Sequence, residues 1–151
     1  MSASRQLRLA LAAFALPLAA CTETVGLEED PGCVTRLINV NESIPSKLSE
    51  LDCVDPSYGA YVDWYELRIF ATQTIDILME SSDVDAYLEL YDEDDQFITD
   101  DDDSLGGTDA WIRVKLSPGT YYIAATTFDE GELGRYVVTV EPPPDPSVRR
   151  R

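Results

Sequence analysis

The residues that could do chemistry here are carboxylates. Tyr91 to Gly107 reads YDEDDQFITDDDDSLGG, and eight of its first thirteen residues are acids. Asp83 and Asp85 stand just upstream. Calcium and other hard cations are held by several oxygens at about 2.5 Å, which aspartate-rich loops can supply. Asp83, Asp85, Asp92, Asp94, Asp101 and Asp103 are therefore candidate calcium ligands. The spacing is not that of an EF-hand. Counted from Asp101, the third residue is Asp103 and the sixth Gly106, but the fifth is Leu105 and the twelfth, where a carboxylate is required, is Ile112. The competing reading is a solvated acidic rim that keeps a sheet from pairing edge to edge. Crowded like charges repel unless a cation or water screens them.

Other chemistries are excluded or weakened. The chain has no histidine, which removes Ser-His-Asp and Cys-His nucleophiles and the usual catalytic zinc sets. Paired carboxylates are plentiful enough for a two-acid hydrolase. They fall in polar turns, however, where nothing is expected to raise one pKa into the range of a proton donor. An enzyme is not expected. A binding face is the better expectation. Trp64, Phe70, Tyr87, Tyr91, Trp111 and Tyr122 alternate with apolar neighbours, with Arg68, Arg113 and Lys115 among them. Aromatics and arginine dominate binding hot spots. The same residues also stabilise a sheet by cross-strand packing and ion pairing without any ligand, and in a two-sheet fold they need not form one patch.

The elements that must position these groups follow from the chain at large. At 151 residues it holds one domain and flanking segments. Arg5 and Arg8 precede an apolar run from Leu9 to Ala20, too short for a comfortable membrane span and the right length for a signal peptide. It ends in Leu18-Ala19-Ala20-Cys21, which resembles the bacterial lipobox. That resemblance implies cleavage before Cys21, a diacylglycerol on its thiol, and attachment to the membrane without spanning it. An ordinary signal with a cleavage site at Ala13-Phe14-Ala15 is the alternative. Thr22 stands where an aspartate would mark inner-membrane retention in enteric bacteria, so the outer membrane is the expected location.

Lipidation would leave Cys33 and Cys53 as a pair in an oxidising compartment. Their bridge closes a loop of about 20 residues and contributes roughly 3 kcal/mol by loop entropy. The formal charge of -18 becomes about -20 once both signal arginines are removed. Nucleic acid and anionic lipid surfaces would repel such a chain; divalent cations or a basic partner would not. With 44% hydrophobic residues, eight Tyr and two Trp, it can still build a core.

Four segments result: a lipoprotein signal over 1–20, a tether over 21–32, a folded domain over 33–140, and a disordered Pro/Arg tail over 141–151. In the domain the hydrophobic period is two. Tyr65, Leu67 and Ile69 are expected inward; so are Ile75, Ile77 and Met79; Ala86, Leu88 and Leu90; Ala110, Ile112, Val114 and Leu116; Tyr121, Ile123 and Ala125; and Tyr136, Val138 and Val140. Ser81-Ser82-Asp83, Gly106-Gly107, Ser117-Pro118-Gly119 and Glu130-Gly131 supply turns. The pattern predicts an all-β protein, an antiparallel β-sandwich or jelly-roll-like barrel. Asp92 to Asp95 reads as a hairpin turn, and Gln96 to Thr99 as a short strand with Phe97 or Ile98 buried.

The order DVDAYLELYDEDDQFITDDDD, then AWIRVKLSPGTYYIAA, then GRYVVTV resembles the bacterial pre-peptidase C-terminal domain. The resemblance covers about residues 37–140. It implies a sandwich of about eight strands, usually appended to secreted proteases, related to clostridial collagen-binding domains, non-catalytic, and serving secretion, targeting or substrate binding. This sequence shows no peptidase beside the domain. A non-enzymatic envelope lipoprotein with a binding or structural module is expected. Two rivals stand beside it: a calcium-dependent adhesion or matrix- or glycan-binding module, and an accessory partner of a separately encoded secreted protease or envelope complex.

Overall fold

The computed structural model describes residues 33–145. The expected signal peptide, Cys21 and the tether lie outside the described residues, as do 146–151 of the tail. Ten strands form two facing sheets, and no helix occurs among the described residues. They are β1 Thr35–Ile38, β2 Glu42–Leu48, β3 Cys53–Val54, β4 Tyr61–Ile69, β5 Gln73–Glu80, β6 Ala86–Asp92, β7 Phe97–Asp101, β8 Ala110–Leu116, β9 Gly119–Thr127 and β10 Gly134–Glu141. The six-stranded sheet has the order β1-β4-β9-β6-β7 with β3 added on β4; the four-stranded sheet has the order β2-β10-β5-β8. All pairings are antiparallel except β1 with β4, which is parallel. The chain repeatedly crosses from one sheet to the other, so neighbours in sequence seldom pair. Pro45 lies in β2, an edge strand, where a missing N–H does no harm.

The expected alternation holds. Every side chain expected inward is in the core, with Val114 and Tyr121 partly buried against it. The ten strands exceed the expected eight through β1 and β3, which are short. One expectation fails: Phe97 is 55% and Ile98 37% exposed. Their strand, β7, is a sheet edge whose one partner is β6, with a register shift at Leu90/Tyr91, so no second layer covers them.

A polar cluster interrupts the apolar filling. Asp63, on β4, is buried. One of its oxygens accepts from Tyr136 Oη at 2.5 Å and Ser46 Oγ at 2.9 Å, and pairs with Arg36. Arg36 also donates to Ser46 Oγ and lies 4.8 Å over the Tyr65 ring. Tyr136 gives its proton to Asp63, so Tyr65 must donate across the 2.6 Å contact between the two hydroxyls. Burial, with Tyr65 and Asp63 adding to it, pushes the Tyr136 hydroxyl far up, and it remains a donor at any working pH. Arg36 and Asp63 belong to one sheet, Ser46 and Tyr136 to the other. Among the described residues no buried side-chain nitrogen or oxygen lacks a partner.

Gly134 opens β10 where no side chain fits. A Cβ there would stand 2.6 Å from both Asp83 Cβ and Val84 Cγ1. Gly134→Ala forces the β5–β6 loop off the sandwich and is expected to cost about 1–3 kcal/mol. Tyr136→Phe leaves the Asp63 oxygen without one donor and is expected to cost about 1–3 kcal/mol. Urea unfolding followed by tryptophan fluorescence measures both; a midpoint unchanged in either variant contradicts the corresponding contact.

Candidate functional site

The six candidate metal ligands divide between the two ends of the β6–β7 hairpin. Asp92 and Asp94 lie at its turn, and Asp83, Asp85, Asp101 and Asp103 at the opposite end. Several already hold backbone. Asp92 Oδ1 accepts from the N–H groups of Asp94 and Gln96, both at 2.9 Å. Asp101 Oδ2 accepts from those of Ser104 and Trp111. Asp83 accepts from the Arg135 N–H at 3.1 Å, and this bond holds its carboxyl below the usual range. Asp85 differs: burial pushes its carboxyl up, with Glu132, Asp129, Asp102 and Asp103 adding to it. Among the described residues no group of three or more acids or cysteines is arranged to hold a metal ion.

The expected binding face divides between sheets. Trp64, Arg68, Tyr87, Tyr91 and Tyr122 lie on the outer face of the six-stranded sheet; Trp111, Arg113 and Lys115 lie on that of the four-stranded sheet. Phe70 is 86% exposed in the turn after β4. On the four-stranded sheet Arg113 is spent internally. Arg113 binds buried Asp76 through two bonds, at 2.6 and 2.7 Å, and covers the Trp111 ring at 4.7 Å. The hydrogen bond from Arg113 holds the Asp76 carboxyl below the usual range. Arg68 is likewise paired with Glu66.

The six-stranded sheet keeps a freer surface. Trp64 meets Tyr91 at 5.8 Å between ring centroids, and Tyr91 meets Phe97 at 5.8 Å. Tyr122 stands opposite Tyr91 on the neighbouring strand. These four rings make a band across β4, β9, β6 and β7. Cys53, Val62 and Ala124 form a small apolar cluster beneath Trp64 and Tyr91. Beside the band opens a groove of about 340 Å³ lined by Cys33, Thr35, Cys53, Trp64, Asp95 and Tyr122. Cys33 and Cys53 are bridged, with Cα atoms 4.8 Å apart, so the bridge expected from sequence helps to form one wall. Asp95, with φ of 56°, is the turn residue that lines the groove.

Sequence reasoning missed Glu89. It faces outward between Tyr87 and Tyr91 yet is only 4% exposed. The loop from Asp55 to Ala60, closed by Asp55 N–H to Ala60 C=O at 2.8 Å, folds over it. Tyr58 Oη donates to Glu89 Oε1 at 3.3 Å. Burial pushes the Glu89 carboxyl above the usual range; hydrogen bonds from Tyr91 and Tyr58 offset this in part, and Asp55 and Asp100 add to it. Asp85, in a turn, and Glu89, on β6, are thus the acids here whose carboxyls are pushed up. A period-two pattern places Glu89 outside the sandwich, and nothing local to it announces the loop that covers it.

No protein-family model matches the chain, and no curated protein does. Among solved structures, the pre-peptidase C-terminal domain of a collagenase from Bacillus anthracis superposes with a TM-score of 0.55 at 20% identity, over 71% of this chain and 94% of that domain. This chain has the pre-peptidase C-terminal fold. Two periplasmic inhibitors of g-type lysozyme, PliG from Aeromonas hydrophila and from Salmonella Typhimurium, give TM-scores of 0.43 and 0.41 at 15% and 12% identity, over 71% and 70% of this chain and 99% and 96% of theirs.

Within this pre-peptidase C-terminal fold the two buried carboxyls give opposite pH dependences. The folded pKa of Glu89 lies above its ordinary 4.5. Its ionised form is penalised in the folded state; the penalty is absent in acid and grows as pH rises through the folded value. Glu89→Gln keeps the acceptor for Tyr58 and is expected to raise the melting temperature at pH 7, with the difference closing as pH falls toward 4. The folded pKa of Asp76 lies below its ordinary 3.8. Its stabilisation is present above that value and is lost as pH falls through the folded one. Asp76→Asn is expected to lower the melting temperature at pH 7 and to converge with wild type in acid. Thermal melts across pH 2–8 read both; parallel curves for either variant contradict its assignment.

Proposed function

We propose that the chain is a non-enzymatic binding module of the bacterial cell envelope, anchored through lipid on Cys21. The observation that carries the reading is the aromatic band and adjoining groove on the outer face of the six-stranded sheet. Tyrosine and tryptophan give large contact area at little entropic cost, and here a rigid sheet fixes their positions. The binding expected of aromatics mixed with arginines on one face is narrowed to this side, because Arg113 and Trp111 are engaged with Asp76 and with each other. The Cys33–Cys53 bridge supports export, since such bonds persist outside the cytoplasm. The basic start, apolar run and Leu18-Ala19-Ala20-Cys21 support the anchor. Among the described residues no helix is long and apolar enough to cross a membrane. The absence of histidine and the use of loop acids as backbone acceptors support a non-catalytic role.

Labelled palmitate tests the anchor. Wild type is expected to incorporate label and to partition with membranes. Cys21→Ala is expected to lose the label. Equal labelling of the two proteins contradicts the anchor.

A further inference from the structure

We propose that the groove beside Trp64 receives the lysine or arginine side chain of a basic polypeptide partner, an inference that rests on the binding-module reading above. Two aromatic residues, Trp64 and Tyr122, and one acid, Asp95, line the groove. An aromatic face attracts a cation, and a carboxylate completes the contact with a charge-assisted hydrogen bond. Elsewhere the protein satisfies such rings with its own bases: Arg36 covers Tyr65 and Arg113 covers Trp111. At the groove no base is available among the described residues. Arg68 is the one base on that outer face and is held by Glu66. Arg36 points inward to Asp63, and Lys47, Arg113, Lys115 and Arg135 belong to the four-stranded sheet.

The rest of the face is negative. Asp100 accepts from Tyr87 at 2.6 Å, and Asp92 to Asp95 form the adjoining turn. A chain of formal charge -18 steers basic partners toward itself and repels acidic ones. A neutral sugar could stack on the same rings and donate a hydroxyl to Asp95, but it would leave the negative charge of the face uncompensated, so the basic polypeptide is the better match.

The test uses the full chain at about 0.15 M salt. Anisotropy is read for a short labelled peptide of alternating arginine and glycine, for its citrulline counterpart, and for labelled chitotetraose. The arginine peptide is expected to bind at least about tenfold more tightly than the citrulline peptide, with Trp64→Ala and Asp95→Asn each weakening it about fivefold. Trp64→Phe, which keeps the packing against Val62 and Ala124, is expected to fall between wild type and Trp64→Ala. Glu141→Gln, which removes equal charge far from the groove, is expected to leave binding within about twofold. Equal binding of the two peptides, no binding of either, or equal losses in Asp95→Asn and Glu141→Gln would overturn the proposal. Trp64-dependent binding of chitotetraose alone would leave the binding module standing and remove its cationic partner. Indifference of every probe to Trp64 would remove both.

Discussion

One oxygen of Asp63 fixes how the two sheets meet. The apolar filling drives them together but is non-directional, and Ile, Leu and Val would tolerate sliding by a fraction of a residue. Three donors on a single carboxylate oxygen would not. Arg36 approaches from β1, Ser46 from β2 and Tyr136 from β10, while Asp63 is itself on β4. Each distance is short, so each strand is pinned against the other three. Apolar residues of the same volume could hold the sheets as strongly. What the cluster adds is position, with Tyr65 and Tyr136 extending it by one further bond.

That position carries outward. β4 bears Asp63, Tyr65 and Leu67 on its inner side and Val62, Trp64 and Glu66 on its outer side. A slip of one residue would exchange the two sets. Locking Asp63 into the core therefore places Trp64 on the outer face, where the parallel partner β1 sets Thr35 beside it. Val54 pairs with Tyr61 and Cys53 with Val62, which brings the bridged cysteines to the same place. The groove is thus a consequence of register in β4, of one bridge and of the Asp95 turn.

The alternation was legible because it is a local property of six strands, each reporting its own inner face. Tertiary covering was not. Phe97 and Ile98 form an apolar pair between acids, which reads as a buried strand; their exposure follows from β7 lying at an edge. Glu89 reads as solvated because its neighbours alternate correctly; the loop carrying Tyr58 covers it from more than thirty positions away. β1 escaped notice because a four-residue strand with exposed Thr35 and Leu37 has no period to detect, and its parallel pairing with β4 has no local signature. The aromatic candidates are legible as outward positions, but only the sheet order shows that Trp111 and Arg113 belong to a different face from Trp64 and Tyr91.

The acids that first suggest a metal also serve the backbone. In a sandwich whose chain changes sheet at most connections, each crossing leaves N–H groups with no strand to pair with. Aspartates satisfy several of them: in the crossings Asp52 for Ser49, Asp101 for Ser104 and Trp111, and Asp109, from another loop, for Ser81; in turns within the six-stranded sheet Asp55 for Ser57 and Asp92 for Asp94 and Gln96. Negative charge then gathers at both ends of the sandwich as a by-product of closing turns. Its cost in repulsion is limited because most of these carboxylates reach water. At half-buried Asp85 and buried Glu89, burial and neighbouring acids act together. The same turn chemistry that ends β6 also carries Asp95 to the groove. A structural economy of aspartates thereby gives the aromatic face its sign of charge, and with it a preference among partners that the rings alone would lack.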